Sequence, residues 1–162
     1  SINYYTLETV RIKGHNISCF VYEYAEGMIL GPFLQRQPGK RLGIMQGLLL
    51  LHSLAKGLEN IHYLNEYHGD LHAENVIVRR FGLEFDLKIL DMFYWDFPKR
   101  ENRRDDVCDL VRILYDSIGG SKHYSRQPDA IKYICSGLKR SLILKKFRTV
   151  SQLRKHLEAI EL

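Results

Sequence analysis

The sequence is short of cysteine and of long apolar runs, and each shortage excludes a class of protein. The three cysteines (Cys19, Cys108 and Cys135) are an odd number at no metal-like spacing, which favours reduced core residues in a cytoplasmic protein over a disulfide framework. The longest purely apolar run, Leu48 to Leu51, is too short to span a bilayer. The opening Ser-Ile-Asn is not part of a basic and then apolar leader, so we expect no secretory signal.

Repeats, low-complexity tracts and glycine–serine linkers are also missing, so composition gives no reason to divide the 162 residues into separate domains. The chain is 45% hydrophobic and 27% charged, which is the profile of a folded globular domain rather than a disordered tail. Its net charge of +5 suits an anionic ligand such as a nucleotide, or serves solubility alone. Basic residues cluster at 99–104 and 139–148, where we expect solvated faces and loops. Nucleic-acid binding is a weaker alternative, because no aromatic interleaving accompanies these clusters.

Two segments of the chain predict β-hairpins. Thr6 to Ile12 and Ile17 to Tyr24 are rich in β-branched and aromatic residues, and residues 13–16 form a good turn between them. Between residues 76 and 90, two short apolar runs flank a turn at Gly82, which predicts a second and smaller hairpin.

The remaining periodic segments predict helices. From Ile44 to Ile61, apolar residues recur every three or four positions, as in one long amphipathic helix central to the core. A second helix is marked by apolar residues from Val107 to Ile118 and ends at two glycines. Pro128 is expected in the first turn of the next helix, and Thr149 with Gln152 predicts a capping box at the start of the last.

The segment from His68 to Asn75 holds the residues that point to chemistry. It reads His-Gly-Asp-Leu-His-Ala-Glu-Asn and lies on an expected loop between the long helix and a short strand. Phosphoryl transfer needs a carboxylate that accepts the proton of the attacking hydroxyl, and hard oxygen ligands for Mg²⁺. Asp70 fits the first role, and Asn75 fits the second together with Asp91, which ends the next strand. The second hairpin would bring Asn75 and Asp91 side by side.

The same residues allow other interpretations. His68, Asp70 and His72 could be ligands of a metallohydrolase, although no further cluster completes a coordination shell. Asp70 could cap a turn, and Asn75 and Asp91 could be ordinary polar residues at strand ends. His68 is expected to pack as a satisfied core histidine, while His72 either approaches phosphate or faces solvent.

The segment from His68 to Asn75 resembles the catalytic loop of the protein-kinase-like superfamily, written H-R-D-x-x-x-x-N in eukaryotic protein kinases. Its glycine and second histidine are more similar to aminoglycoside and choline kinases and to some bacterial kinases. Residues 90–93 resemble the metal-binding D-F-G motif, and residues 106–110 resemble the start of the central helix, whose aspartate braces the catalytic loop in the family. His62 and the pair at 148–149 also match the family in order, so the resemblance covers nearly the whole chain.

The resemblance also implies a nucleotide site. Residues 20–25 resemble the last strand of the N-lobe and the hinge. By this likeness Tyr22 would be the gatekeeper, and the backbones of Glu23 and Ala25 would bond to adenine. Ile77 would lie under the adenine ring. Together with the catalytic loop, these positions imply ATP and Mg²⁺ as cofactors.

The start of the chain departs from the family. It contains no G-x-G-x-x-G, and Lys13 is not the phosphate-binding lysine. Lys13 is only ten residues before Glu23, which leaves no room for the intervening helix and strand. We therefore expect the sequence to begin inside the N-lobe, as a fragment of a longer kinase or as a natural or engineered remnant.

The segment after Asp91 also departs from the family. Asp91 and Asp106 are fifteen residues apart and no A-P-E follows, so Arg148 would lack its usual partner. Gly69 replaces the arginine that reads a phosphorylated activation loop, and Phe93 replaces the glycine after the metal-binding aspartate. These differences favour a small-molecule or atypical substrate, or a degraded kinase, over a standard protein kinase.

We therefore expect an α+β fold, mostly α: a protein-kinase-like C-terminal lobe at 26–162, with two N-lobe β-strands and the hinge at 1–25, and a small β-hairpin. The expected function is ATP- and Mg²⁺-dependent phosphotransfer to a hydroxyl of a small molecule or protein. Asp70 would be catalytic, Asn75 and Asp91 would hold the metal-bound nucleotide, and the chain alone would be inactive or weak. The alternative is a catalytically inactive, pseudokinase-like module that binds a protein partner or a second copy through its N-lobe-facing surface. Neither hypothesis involves a membrane or a nucleic acid.

Overall fold

A computed structural model describes residues 4–82, 84–93, 96 and 98–160. The architecture is α+β and mostly α, as the sequence predicts. The strands are β1 (Tyr4–Ile12), β2 (His15–Tyr22), β3 (Met28–Ile29), β4 (Val76–Phe81) and β5 (Glu84–Ile89). The α-helices are α1 (Leu30–Gln35), α2 (Ile44–Tyr63), α3 (Lys99–Ser117), α4 (Ser121–Tyr124), α5 (Asp129–Cys135), α6 (Arg140–Lys146) and α7 (Val150–Glu158).

The first hairpin has a tighter turn than expected. Strands β1 and β2 are antiparallel, and only Lys13 and Gly14 connect them. Both have positive φ, 49° and 85°, as the two central residues of a type I′ turn require. The other two expected turn residues therefore pair within β2, which ends at Tyr22 rather than Tyr24. The side chain of Tyr22, the expected gatekeeper, lies outside the part of the structure that is described.

The second sheet has the order β3-β4-β5 and contains the second predicted hairpin. Its turn includes Gly82, with φ of 62°, and Leu90 lies just beyond β5 instead of within it. Ile77 of β4 pairs with Ile29 on one side and with Lys88 on the other. The short strand β3 therefore attaches the segment after β2 directly to the strand that follows the His68–Asn75 loop.

Helix α2 is the centre of the core, as its apolar period predicts. Its residues Leu50, Leu51 and Leu54 are fully buried. A Cβ on Gly47 would come within 2.5 Å of the Ile118 side chain, which shows how closely α2 and the end of α3 approach. Helices α3 and α7 both pack against α2.

Helix α3 begins at Lys99, eight residues before the apolar stripe that starts at Val107. The first basic cluster is therefore on a helix and not in a loop. Its residues are mostly Lys, Arg and Glu, which favour helix even without an apolar face. The helix ends as predicted, before Gly119 and Gly120, which both have positive φ.

The last helices show smaller differences from the prediction. Pro128 is the N-cap of α5 and does not lie in its first turn. Thr149 caps α7 as expected, because its Oγ1 accepts the N–H of Gln152 at 3.2 Å. The Gln152 side chain reaches one residue further back than a capping box requires, where its Oε1 accepts the N–H of Arg148 at 2.7 Å.

The three cysteines are free. Cys135 is buried and Cys108 is half-buried, as core cysteines should be, whereas Cys19 lies on the β1–β2 hairpin, away from the helical core. In the described ranges, we find no helix with the length and apolar content that a membrane span requires.

Candidate active site

Asp106, in α3, holds the loop that follows α2. Its carboxylate is fully buried and accepts three hydrogen bonds. Oδ2 accepts from the backbone N–H of His68 and from Nε2 of His62, both at 2.8 Å, and Oδ1 accepts from the N–H of Gly69 at 2.9 Å. A buried carboxylate needs such donors, because an unpaired charge in the interior is strongly destabilising. This geometry confirms the bracing role that the kinase resemblance implies for Asp106.

His68 is the second buried polar residue under the loop. Its Nε2 lies 2.6 Å from the carbonyl oxygen of Leu90, and its Nδ1 lies 3.3 Å from the N–H of Asp70. We therefore assign the hydrogen to Nε2, which donates, while Nδ1 accepts. Burial lowers the pKa of His68 below its ordinary value, in agreement with this neutral ring. Because both nitrogens bond to backbone, His68 is a satisfied core histidine, and the metallohydrolase alternative loses one ligand.

Asp70 directs its carboxylate towards solvent. The side chain is 52% exposed, and its Oδ2 lies 3.5 Å from Nε2 of His72, which is itself 47% exposed. Nδ1 of His72 accepts the N–H of Glu74 at 3.2 Å, so the hydrogen of the neutral ring is on Nε2, the atom that faces Asp70. A hydroxyl group from solution can therefore reach both side chains.

Asn75 is buried and connects the loop to β4. Its Nδ2 donates to the carbonyl oxygen of Asp70 at 2.8 Å, and its own carbonyl accepts the N–H of Leu90 at 2.8 Å. No hydrogen bond to the amide oxygen Oδ1 is present among the described residues. This oxygen is therefore free to bind a ligand.

Asp91 follows Leu90 directly, so the backbone bond between Leu90 and Asn75 brings Asp91 to the same end of the β4–β5 hairpin. Its φ is 51°, a left-handed conformation that costs a non-glycine residue about 1 kcal/mol. The segment is also tied at Phe93, whose N–H donates to the carbonyl of His68 at 2.8 Å. Two backbone hydrogen bonds therefore attach residues 90–93 to the loop from His68 to Asn75.

The predicted adenine-binding residues lie next to one another around β4. Nζ of Lys88, the cross-strand partner of Ile77, lies 3.3 Å from Oε1 of Glu23. A Cβ on Gly27 would come within 2.7 Å of the Ile77 side chain, so the segment containing Glu23 and Ala25 runs close to β4. Glu23, Ala25 and Ile77 are all half-buried. The structure therefore places the hinge candidates beside Ile77, two residues along the chain from Asn75.

Asp109, one helical turn after Asp106, is an acid that sequence reasoning did not single out. Burial and the charges of Asp106 and Asp105 raise the pKa of its carboxyl to about 7, although Arg112 opposes the shift. The region behind the loop therefore contains a second carboxyl that is partly protonated near neutral pH. Its three-residue spacing from Asp106 is the signal that could have found it, because residues three apart share a helix face.

The donor set suits a hard cation. Asn75 contributes a free amide oxygen and Asp91 an exposed carboxylate, and Mg²⁺ prefers one or two such oxygens together with phosphate oxygens and water. Within the described ranges there is no cluster of three or more His, Cys, Asp and Glu side chains that could form an all-protein metal cage. A metal here would therefore depend on a bound phosphate for the rest of its coordination.

Comparison with known proteins gives two plant kinases. The serine/threonine-protein kinase WAG2 of Arabidopsis thaliana is 28% identical over 124 residues, which is 72% of this chain and 26% of the kinase. A second serine/threonine-protein kinase of Arabidopsis thaliana is 36% identical over 76 residues, which is 44% of this chain and 15% of that protein. No family model matches the chain.

These matches show a protein-kinase-like relationship, in agreement with the resemblance of the catalytic loop. The chain spans about a quarter or less of the length of both relatives. Kinase-like phosphotransfer in general is supported, and the activity, substrates and partners of a whole protein are matters for proposal.

Proposed function

We propose that residues 26–162 are the C-terminal lobe of an ATP- and Mg²⁺-dependent phosphotransferase that acts on a hydroxyl group, and that residues 1–25 are the end of its N-lobe and the hinge. The acceptor is a small molecule or a protein. Because the glycine-rich loop and the phosphate lysine are not among these 162 residues, the chain alone is a weak or inactive enzyme. A cytoplasmic location agrees with the three free cysteines.

The observation that carries the proposal is the way in which the loop is held. Asp106 fixes the backbone at His68 and Gly69, and Asn75 fixes the carbonyl of Asp70. The carboxylate of Asp70 is left exposed on this rigid support. Enzymes that transfer phosphoryl groups act mainly by positioning, so a pre-ordered carboxylate next to metal-binding oxygens supports this chemistry.

The residues around β4 can bind the nucleotide in the order that a kinase needs. The backbones of Glu23 and Ala25 would bond to adenine, Ile77 would pack under the ring, and the oxygens of Asn75 and Asp91 would hold Mg²⁺. Bound there, Mg²⁺ would neutralise part of the charge of the ATP phosphates.

Asp70 would act on the acceptor. Its exposed carboxylate would orient the hydroxyl and accept its proton as the oxygen attacks the terminal phosphate and ADP leaves. The Nε2 hydrogen of His72, on the same exposed face, would donate to the acceptor or to a phosphate oxygen. His68 takes no part in proton transfer, because its ring nitrogens are occupied by backbone groups.

The test is Asp70→Asn in a longer protein that contains this chain together with a glycine-rich strand and a lysine. We expect phosphotransfer to fall by roughly 10²–10⁴-fold with nucleotide affinity unchanged, because the variant removes a proton acceptor and no metal ligand. Asp129→Asn, an exposed aspartate in the first turn of α5, is the control. Unchanged turnover in Asp70→Asn would refute the assignment.

A second candidate function is a catalytically inactive interaction module. It is favoured by the β1–β2 hairpin, whose large apolar side chains are exposed, since an isolated two-stranded hairpin is barely stable in water. The exposed residues on its two strands are Tyr5, Leu7, Val10, Ile12 and Ile17. Such a module would bind a protein partner or a second copy through this hairpin and would not need Asp70, Asn75 and Asp91 together. It predicts no magnesium-dependent binding of ATP.

A further inference from the structure

A cavity lies where the C-terminal half of α2, the first two turns of α3 and the start of α7 meet. Its volume is about 660 Å³, and four arginines line it: Arg100, Arg103, Arg104 and Arg148. The residues proposed to bind nucleotide and metal do not line this cavity. It is therefore a separate site, with a strong positive charge.

The charge of this arginine cavity is only partly compensated. Glu59 is the acidic residue among its lining side chains, and its Oε2 already accepts Nε of Arg154 at 2.7 Å. Arg103 donates to the neutral amide oxygen of Asn65 at 2.8 Å. The arginine charges therefore exceed the acidic charge available within the cavity.

The four arginines differ in how far their donors are occupied. Arg104 donates through one nitrogen to Glu101 at 2.6 Å, which leaves its other nitrogens for a ligand. Arg100 and Arg148 are exposed, and within the described part of the chain their guanidinium groups make no hydrogen bond or ion pair. Each guanidinium has five donors in a planar fork, so the cavity offers several unused bidentate faces.

The helix ends make this arrangement of cations partly unfavourable. Lys99 and Arg100 are in the first turn of α3, where the positive end of the helix dipole disfavours cations, although Lys99 pairs with Glu66 at 2.6 Å and the turn also contains Glu101. Arg103 and Arg104 follow one turn later and add mutual repulsion. The start of α7 brings a second positive helix end to the same cavity. An anion in the cavity would interact favourably with both helix ends and with the arginines between them.

We propose that the arginine cavity binds a phosphate dianion. A guanidinium group matches phosphate with two parallel hydrogen bonds, and a charge near −2 balances the arginines better than a single carboxylate would. The phosphate is either free or carried on a phosphorylated peptide, and both sources offer the same group to the arginines. This site is independent of the nucleotide site and does not require the chain to be active.

The test uses the 162-residue chain and follows the arginine Nε–H signals by NMR at constant ionic strength. The probes are inorganic phosphate and a short peptide with a central phosphoserine. Two control peptides have the same sequence, with serine in one and glutamate in the other in place of the phosphoserine. We expect both phosphate-bearing probes to shift signals of the cavity arginines, and the serine peptide to shift none.

Paired variants distinguish a specific phosphate site from the general attraction of anions to a basic protein. Arg100→Ala with Arg148→Ala removes two exposed cavity arginines, and we expect phosphate affinity to fall at least ~10-fold. Arg36→Ala with Arg126→Ala removes the same charge from exposed positions outside the cavity, and we expect a change below about twofold. All four residues are exposed, so neither pair should unfold the protein.

The outcomes are distinct. Tighter binding of the phosphopeptide identifies a phosphorylated chain as the source, and tighter binding of inorganic phosphate identifies the free anion. An equal effect of the two variant pairs would overturn the proposal, as would equal binding of the glutamate peptide. Absence of binding by both phosphate probes at tens of millimolar would also overturn it.

Discussion

The loop between α2 and β4 has a buried side and an exposed side, and the carboxylates on them are held in opposite ways. Asp106 has no exposed surface and accepts three hydrogen bonds, from His62, His68 and Gly69. Asp70 is half exposed, and its Oδ2 lies 3.5 Å from Nε2 of the exposed His72. The comparison separates the two tasks of the site: the buried carboxylate fixes the position of the loop, and the exposed carboxylate is available to an acceptor.

Removing the buried carboxylate should have the largest effect on stability. In Asp106→Ala, the N–H groups of His68 and Gly69 and the ring of His62 lose their partner, so we expect the free energy of unfolding to fall by about 3 kcal/mol. Urea denaturation measures the change. Asp70→Ala is the matched control on the exposed side, where we expect a change below ~0.5 kcal/mol. Equal losses in the two variants would show that the comparison is wrong.

Replacing the buried histidine should have the next largest effect. His68→Leu leaves the carbonyl of Leu90 and the N–H of Asp70 without a partner, so we expect a loss of about 2 kcal/mol at pH 8. Because burial lowers the pKa of His68, its contribution to stability is present above the unfolded pKa of 6.5 and is lost as the pH falls through the folded value. The difference between wild type and variant should therefore shrink below pH 6.5. A difference that grows as the solution becomes acidic would contradict this role.

Asp109→Asn should have an effect of similar size, with the opposite pH dependence. Since the pKa of Asp109 is raised from 3.8 to about 7, its folded state favours the proton, and this stabilisation is lost as the pH rises towards 7. We expect the wild type to lose about 2 kcal/mol relative to the variant between pH 5 and pH 7.5. Urea midpoints of both proteins at the two pH values measure the effect. A constant difference between the proteins across this range would exclude such a titration.

Local pattern was enough to predict most of the fold. Helix α2 follows from its apolar period, and the two hairpins follow from β-branched segments flanking glycine turns. The start of α3 at Lys99 was missed, because an apolar stripe begins only at Val107, and polar helix formers give no periodic signal. Hairpin turn length was also misjudged, since the choice between a two- and a four-residue loop depends on the φ values of Lys13 and Gly14.

The candidate site was predicted in part. The bracing by Asp106 and the passive role of His68 are confirmed by their hydrogen bonds. The pairing of Lys88 with Glu23 was not foreseen, because it depends on how β4, β5 and the segment after β2 pack in three dimensions. For the same reason the sequence shows only two separate basic clusters, which α3 and α7 bring together by packing against α2.

The roles of Asp70, Glu23, Ala25, Ile77, Asn75 and Asp91 in binding and catalysis stay predictions. All of these roles depend on the hypothesis that the end of the β4–β5 hairpin binds magnesium and a nucleotide. A single titration of the 162-residue chain can test this basis without phosphotransfer activity.

The most direct measurement is calorimetric titration of the chain with ATP, with and without Mg²⁺, together with Asp91→Ala and the exposed control Asp129→Ala. The account predicts ATP binding that requires Mg²⁺, weakens at least ~10-fold in Asp91→Ala and is unchanged in Asp129→Ala. ATP binding that is the same with and without Mg²⁺, and the same in all three proteins, would contradict a metal site at Asn75 and Asp91. No binding under any condition would mean that the glycine-rich loop and the phosphate lysine are needed for binding, or that the site is inactive.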